Sequence, residues 1–197
     1  MKNKKIALYG GAFSPPHLGH ASVMEAVLRL FPCDEIWVMP STNRHDKKVS
    51  ASGSDRLKML EILIQELFPS SKIPIIISDF ELQMDKPTVT YETLKALDEK
   101  YPDNKFYFVL GSENLEVIET KWINGKKLLQ EANFIAIKNP LIPLSNKLPS
   151  NITILDDLPW TKISSTFVRK LIAQGQSGLP YISKGVAEYI KGHNLYK

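Results

Sequence analysis

Apolar residues fall into short runs, separated by longer stretches in which they recur every three or four positions. The runs Ile6 to Tyr9, Glu35 to Pro40, Ile73 to Ile77, Phe106 to Leu110, Phe134 to Ile137 and Ile152 to Leu155 predict six strands. Val23, Ala26, Val27 and Leu30 predict a helix from His20 onward. Leu57, Leu60, Ile64 and Leu67 predict a second, with Ser54 and Asp55 as its N-cap chemistry. Thr90 to Lys100 and Gly125 to Ala132 read as helices, and Asp79 to Thr88 as a polar loop. Another helix begins at Ser164, Ser165 and Thr166, with Val168, Leu171 and Ile172 behind, and Tyr181 to Ile190 closes the chain. This alternation predicts an α/β fold, a parallel sheet with helices on both faces. Right-handed crossovers put the loops after the strands along one edge, where such sheets bind ligands. The 197 residues suit one domain, with 163–197 as a small C-terminal helical subregion.

Composition narrows this little. Hydrophobic residues at 43% and charged residues at 23% are ordinary for a globular protein with a sizeable core. A net charge of +4 suits small anionic substrates, and the basic runs are too short to argue for nucleic acid. Cys33 stands alone, which excludes an intrachain disulfide and a cysteine zinc cluster; its expected role is a small buried hydrophobe. No apolar stretch reaches membrane-spanning length and the N-terminus enters a strand directly, so the expectation is a cytoplasmic protein with no membrane partner.

The candidate chemistry is concentrated in two strings. Gly10-Gly11-Ala12-Phe13-Ser14-Pro15-Pro16-His17-Leu18-Gly19-His20 joins the first strand to the first helix. Its glycines let backbone N–H groups approach phosphate, and the helix N-terminus favours negative charge. It carries neither G-x-x-x-x-G-K-[ST] nor G-x-G-x-x-G, but offers two histidines three residues apart, expected on one face of the first turn. These can donate hydrogen bonds to a polyphosphate, and a bound phosphate favours their charged form. The second string, Ile163-Ser164-Ser165-Thr166-Phe167-Val168-Arg169, sets hydroxyls and exposed N–H groups at a helix start. Arg169 leans back over that turn, so the group is expected to converge on one phosphate.

The first string resembles the G-G-x-F-[DNS]-P-x-H-x-G-H signature of the nucleotidyltransferase superfamily, and most of all that of nicotinate mononucleotide adenylyltransferases. The second is similar to that family's I-S-S-T-x-[IV]-R. The resemblance implies that Gly10, Gly11, Ala12, Phe13, His17 and His20 bind the ATP triphosphate, and that Ile163, Ser164, Ser165, Thr166 and Arg169 serve its β- and γ-phosphates. Gly111-Ser112-Glu113-Asn114-Leu115 resembles the G-x-D-x-L loop at the adenosine ribose, with Glu113 in place of Asp and Gly111 kept. Thr88-Val89-Thr90-Tyr91-Glu92-Thr93-Leu94 is similar to s-Y-T-x-[DE]-T-L. By that likeness Thr90 lies beside the pyridine ring, while Val89 replaces the family's Tyr. Trp122 matches a tryptophan that stacks on the nicotinate ring, and the backbone N–H of Ile123 follows it. The loop Pro40-Ser41-Thr42-Asn43-Arg44-His45-Asp46-Lys47 departs from P-x-x-x-P-P-H-K but keeps Lys47 in register with the basic residue that reaches phosphate; Arg44 and Lys48 are its alternatives. The tail Leu195-Tyr196 looks like the family's terminal L-Y.

The implied fold is a Rossmann-like parallel sheet, and the implied reaction is adenylyl transfer from ATP to nicotinate mononucleotide, with Mg²⁺ held mainly by the ATP phosphates and no metal-ligating residue set of the protein's own. A homo-oligomer is left open. Two other readings stand beside it. One is a sister nucleotidyltransferase acting on the amidated nucleotide, phosphopantetheine or a cytidylyl substrate. The other is a nucleotide-binding sensor that has lost catalysis. Thr90 and Trp122 favour a pyridine nucleotide, and intact His17, His20 and Arg169 favour catalysis.

Overall fold

Strand β1 (Lys4–Gly11) lies at the centre of a six-stranded sheet in the computed structural model, which describes residues 3–42, 50–84, 87–144, 148–159 and 161–197. The remaining strands are β2 (Glu35–Pro40), β3 (Ile75–Ile77), β4 (Asn104–Gly111), β5 (Asn133–Ile137) and β6 (Ile152–Leu155). Their order is β3-β2-β1-β4-β5-β6 and every pairing is parallel. The chain winds outward from β1 to β3, then returns to lay β4 on the other side of β1. That reversal opens a crevice between the carboxyl ends of β1 and β4, the place where open α/β sheets take ligands.

Among the described residues seven α-helices cover the two faces: α1 (Leu18–Leu30), α2 (Gly53–Leu67), α3 (Thr90–Lys100), α4 (Leu115–Lys121), α5 (Gly125–Glu131), α6 (Ser165–Ala173) and α7 (Lys184–Gly192). The period-two alternation of strands sorts side chains between two cores. Ala7, Ile36, Val38 and Ile135 face one way and pack with Met24, Met59, Leu63, Val168 and Val186 from α1, α2, α6 and α7. Ile6, Leu8, Trp37 and Phe108 face the other and pack with Leu97, Ile118 and Leu128 from α3, α4 and α5. The expected parallel sheet with helices on both faces is therefore present.

Several boundaries differ from the periodicity reading, each for a local reason. Gly10 and Gly11 do not stop β1; they pair with Met39 and Pro40 as its last two rungs. Strand β3 begins at Ile75 rather than Ile73, because Pro74 has no N–H for the ladder and contributes only its carbonyl, to Ile36. The N-cap of α2 is Ser52, not Ser54 or Asp55: its hydroxyl accepts the Asp55 N–H at 3.0 Å. The polar loop after β3 contains a 3₁₀ turn, Phe80–Gln83. The closing helix starts at Lys184, three residues later than expected, with Ser183 at its N-cap position. Helix α4 was not expected, since seven residues with one buried side chain, Ile118, are too few to show a period. Cys33 is half-buried rather than buried, and burial pushes its thiol pKa up.

Candidate active site

The crevice is built from three segments far apart in sequence. Past Gly11 the chain turns sharply: Phe13 adopts φ 47° while its ring is buried, 1% exposed. A left-handed non-glycine residue costs of order 1–3 kcal/mol and persists only where its surroundings hold it. Here the Phe13 ring meets Tyr9 edge-on at 5.4 Å and His20 at 4.8 Å.

His17 is the N-cap of α1 and His20 its third residue, so the pair faces one way, as expected, but through stacked rings with centroids 3.6 Å apart. The His17 backbone N–H donates to Nδ1 of His20 at 3.1 Å. That bond fixes the His20 tautomer: Nδ1 accepts, so Nε2 carries the proton and is left to donate. The Nδ1 of His17 is buried without a hydrogen-bond partner among the described residues, and the ring is 5% exposed. Burial lowers its pKa to about 4, and burial together with the neighbouring His17 holds His20 well below the ordinary imidazole range. Without ligand both rings are neutral, and charge on them awaits a bound anion. Gly19 leaves room beside the His17 ring, since a Cβ there would sit 3.0 Å from Nδ1 of His17 and 3.6 Å from Cβ of Ile163.

The second segment is the start of α6. Ser164 is its N-cap and accepts the Phe167 N–H at 3.2 Å; the Ser165 hydroxyl donates to the Pro15 carbonyl at 2.9 Å. Arg169 leans back over this turn as its position required, donating from Nη2 to the Thr166 hydroxyl at 3.1 Å and from Nη1 to the Ser14 carbonyl at 2.7 Å. The two strings thus meet although about 150 residues separate them. In this state the Ser164 and Ser165 hydroxyls both have backbone partners, Ser164 as acceptor only, so its hydroxyl proton is left to donate. Arg169 and the N–H groups of the first turn of α6 are the groups that present positive charge.

The third segment follows β4. A Cβ on Gly111 would overlap the Glu113 carboxylate, which folds back over it and accepts from Asn114 Nδ2 at 3.3 Å. Its charge reaches Tyr9, whose hydroxyl pKa is raised by burial first and by Glu113 second. Glu113 therefore stands at the mouth of the β1–β4 crevice.

The residues expected beside a pyridine ring are less tightly assembled. Thr90 opens α3, and its backbone N–H has no hydrogen bond among the described residues. Trp122 caps the end of α4, half-buried with its ring edge-on to Phe108 at 6.3 Å. Ile123 is 63% exposed, and its N–H likewise has no partner among the described residues. Lys47, with Arg44 and Lys48, lies outside the described residues.

Two residues escaped the sequence reading. Arg56, on the first turn of α2, is 3% exposed and donates to the Ala12 and Ser41 carbonyls. An arginine inside an otherwise amphipathic helix carried no distinguishing signal. Tyr196, noted only as part of the terminal L-Y, places its hydroxyl 3.0 Å from the Ser14 hydroxyl, and burial pushes its pKa up to about 12. Just before α7, the Tyr181 carbonyl accepts the Leu18 N–H at 2.9 Å. The C-terminal segment therefore braces the histidine loop from behind. Among the described residues no helix is long and apolar enough to cross a membrane, and no cluster of histidine, cysteine or acidic side chains could hold a metal ion.

The cytidylyltransferase-like family model matches residues 8–171. A protein of Oceanobacillus iheyensis named "Probable nicotinate-nucleotide adenylyltransferase" is 32% identical over 98% of this chain and 97% of its own. A protein of the same name from Bacillus licheniformis is 33% identical over 98% of this chain and 99% of its own. Among solved structures, Plasmodium falciparum nicotinic acid mononucleotide adenylyltransferase complexed with NaAD superimposes with a TM-score of 0.84 at 29% identity, over 98% of both chains. The same enzyme complexed with APC gives 0.82 at 28%.

Proposed function

The chain belongs to the cytidylyltransferase-like family and, within it, to the nicotinate-nucleotide adenylyltransferases, and from that membership we propose how its residues transfer the adenylyl group of ATP to nicotinate mononucleotide, giving nicotinate adenine dinucleotide and pyrophosphate. It is a nucleotidyltransferase of pyridine nucleotide biosynthesis. The observation that carries the reading is the bond from Arg169 to the Ser14 carbonyl, which brings two phosphate-directed segments to one crevice.

The nucleophile is a phosphate oxygen of the acceptor, already ionised at neutral pH, so no general base is required. Catalysis rests on alignment and on stabilising the charge that grows at the α-phosphate and on the departing pyrophosphate. Neutral His20 donates from Nε2 to an α- or β-phosphate oxygen, and His17 joins it from the stacked ring. Contact with phosphate raises both pKa values and draws protons to the pair. Arg169 and the first turn of α6 take the β- and γ-phosphates. Glu113 accepts from a ribose hydroxyl of ATP, Gly111 gives its carboxylate room, and Gly10 to Phe13 shape the loop under the triphosphate. Mg²⁺ enters as the ATP complex, held mainly by phosphate oxygens. On the acceptor side Trp122 stacks on the pyridine ring, and the N–H groups of Thr90 and Ile123, without partners among the described residues, suit a carboxylate. Lys47 is proposed as a further phosphate contact.

The test is pyrophosphate release from Mg-ATP with a panel of phosphorylated acceptors, with the product identified by mass. Release with nicotinate mononucleotide and formation of the dinucleotide are expected. Release only with phosphopantetheine, or only when CTP replaces ATP, would move the chain to a sister activity, and ATP binding without release would make it a sensor.

A further inference from the structure

Arg56 has no part in the chemistry above, yet its guanidinium is among the most buried charged groups of the protein, at 3% exposure. Burying such a group is costly unless its donors find acceptors. Nη1 finds two, donating to the Ala12 carbonyl at 2.9 Å and to the Ser41 carbonyl at 2.7 Å, while Nε is buried without a partner among the described residues. Those carbonyls mark where two strands part. The β1–β2 ladder runs out at Gly11 and Pro40, with one more bond from the Ser41 N–H to the Gly11 carbonyl at 2.8 Å. Beyond it one chain turns through Phe13 into the histidine loop and the other leads toward Lys47. The two protons of a planar Nη diverge within one plane and reach acceptors on either side, a geometry that an ammonium does not fix in advance.

We propose that Arg56 is a positioning residue for the nucleotide: by holding both carbonyls on one nitrogen, it sets the start of the phosphate-binding loop against the segment leading to Lys47. It touches no reacting atom. The inference rests on the adenylyl-transfer reading for its kinetic consequences, but only on nucleotide binding for its core. A loop displaced by about 1 Å can cost about a hundredfold in rate. The loss should fall on ATP, since neither anchored segment belongs to the acceptor side.

The test uses the full chain with Arg56→Lys and Arg56→Gln. Calorimetric binding of a non-hydrolysable ATP analogue is measured alongside kcat and the two KM values, all well below each variant's Tm. Arg56→Gln should bind the analogue about ten- to a hundredfold more weakly, with a raised KM for ATP and an unchanged KM for nicotinate mononucleotide. Arg56→Lys should recover part of that loss. Variants that melt lower but keep wild-type analogue binding and kinetics would show Arg56 to be structural only, and equal rises in both KM values would also overturn the proposal. A wild-type protein that binds the analogue without releasing pyrophosphate would sink the reaction, yet analogue binding would still decide Arg56. No analogue binding by wild type would overturn both.

Discussion

Replacing His20 by alanine separates two contributions that the structure allows to be sized. In the folded state the ring accepts the His17 N–H and meets Phe13 edge-on at 4.8 Å. A hydrogen bond of that kind contributes about 1 kcal/mol and an aromatic contact about 0.5–1.5 kcal/mol. The loss of roughly 2 kcal/mol should lower Tm by about 4–8 °C for a chain of this size. In the reaction the same ring donates from Nε2 to charge that grows in the transition state, and losing one such donor costs about 3 kcal/mol of barrier, on the order of a hundred- to a thousandfold in kcat. His20→Asn divides the two effects. Its side-chain oxygen stands at the same bond distance from the backbone as Nδ1 and can still accept the His17 N–H, but nothing replaces Nε2. The expected pattern is a low kcat in both variants, with Tm partly restored in His20→Asn only, by the share that belongs to the hydrogen bond. Turnover by steady-state pyrophosphate release and Tm by calorimetry decide it. Near-normal turnover in His20→Ala with a collapsed Tm would return the ring to a packing role.

Two further outcomes follow from the site. His17 and His20 have folded pKa values below their unfolded ones, so the unfolded chain binds more protons in acid. Stability should be full above pH 6.5 and fall progressively as pH drops toward about 4, the value for His17; His17→Asn should flatten that slope in chemical unfolding, and an unchanged slope would refute the assignment. Glu113→Ala removes an acceptor proposed for a ribose hydroxyl, a charged bond of about 1.5–3 kcal/mol, so KM for ATP should rise about ten- to a hundredfold with the acceptor's KM unchanged. Equal KM values for ATP in wild type and variant would remove Glu113 from the nucleotide site.

Hydrophobic periodicity was enough for the sheet, because each strand is a contiguous apolar run bounded by Gly, Pro or polar residues. It failed where the signal is shorter than a period, as in α4, and where a cap is decided by which hydroxyl reaches a particular N–H, as with Ser52. The candidate site was legible wherever its residues are contiguous: the histidine loop and the start of α6 carry their local geometry in adjacent residues. Arg56 and Tyr196 were not legible as site residues, because their roles come from carbonyl and hydroxyl partners on distant segments. The partners of Ser164 and Ser165 were hidden for the same reason. A sequence displays hydroxyls but not the backbone that folding brings against them.

The acceptor itself gives the most direct test. The N–H groups of Thr90 and Ile123 have no partners among the described residues, and two donors suit a carboxylate, which accepts from both. A carboxamide turns N–H₂ toward one of them and leaves it unpaired, at a cost of about 2–4 kcal/mol, which gives the acid an advantage of roughly thirty- to a thousandfold. The measurement is kcat/KM for nicotinate mononucleotide and for its amide, side by side at saturating Mg-ATP. The account predicts a ratio in that range in favour of the acid; a ratio near one, or a preference for the amide, would contradict it.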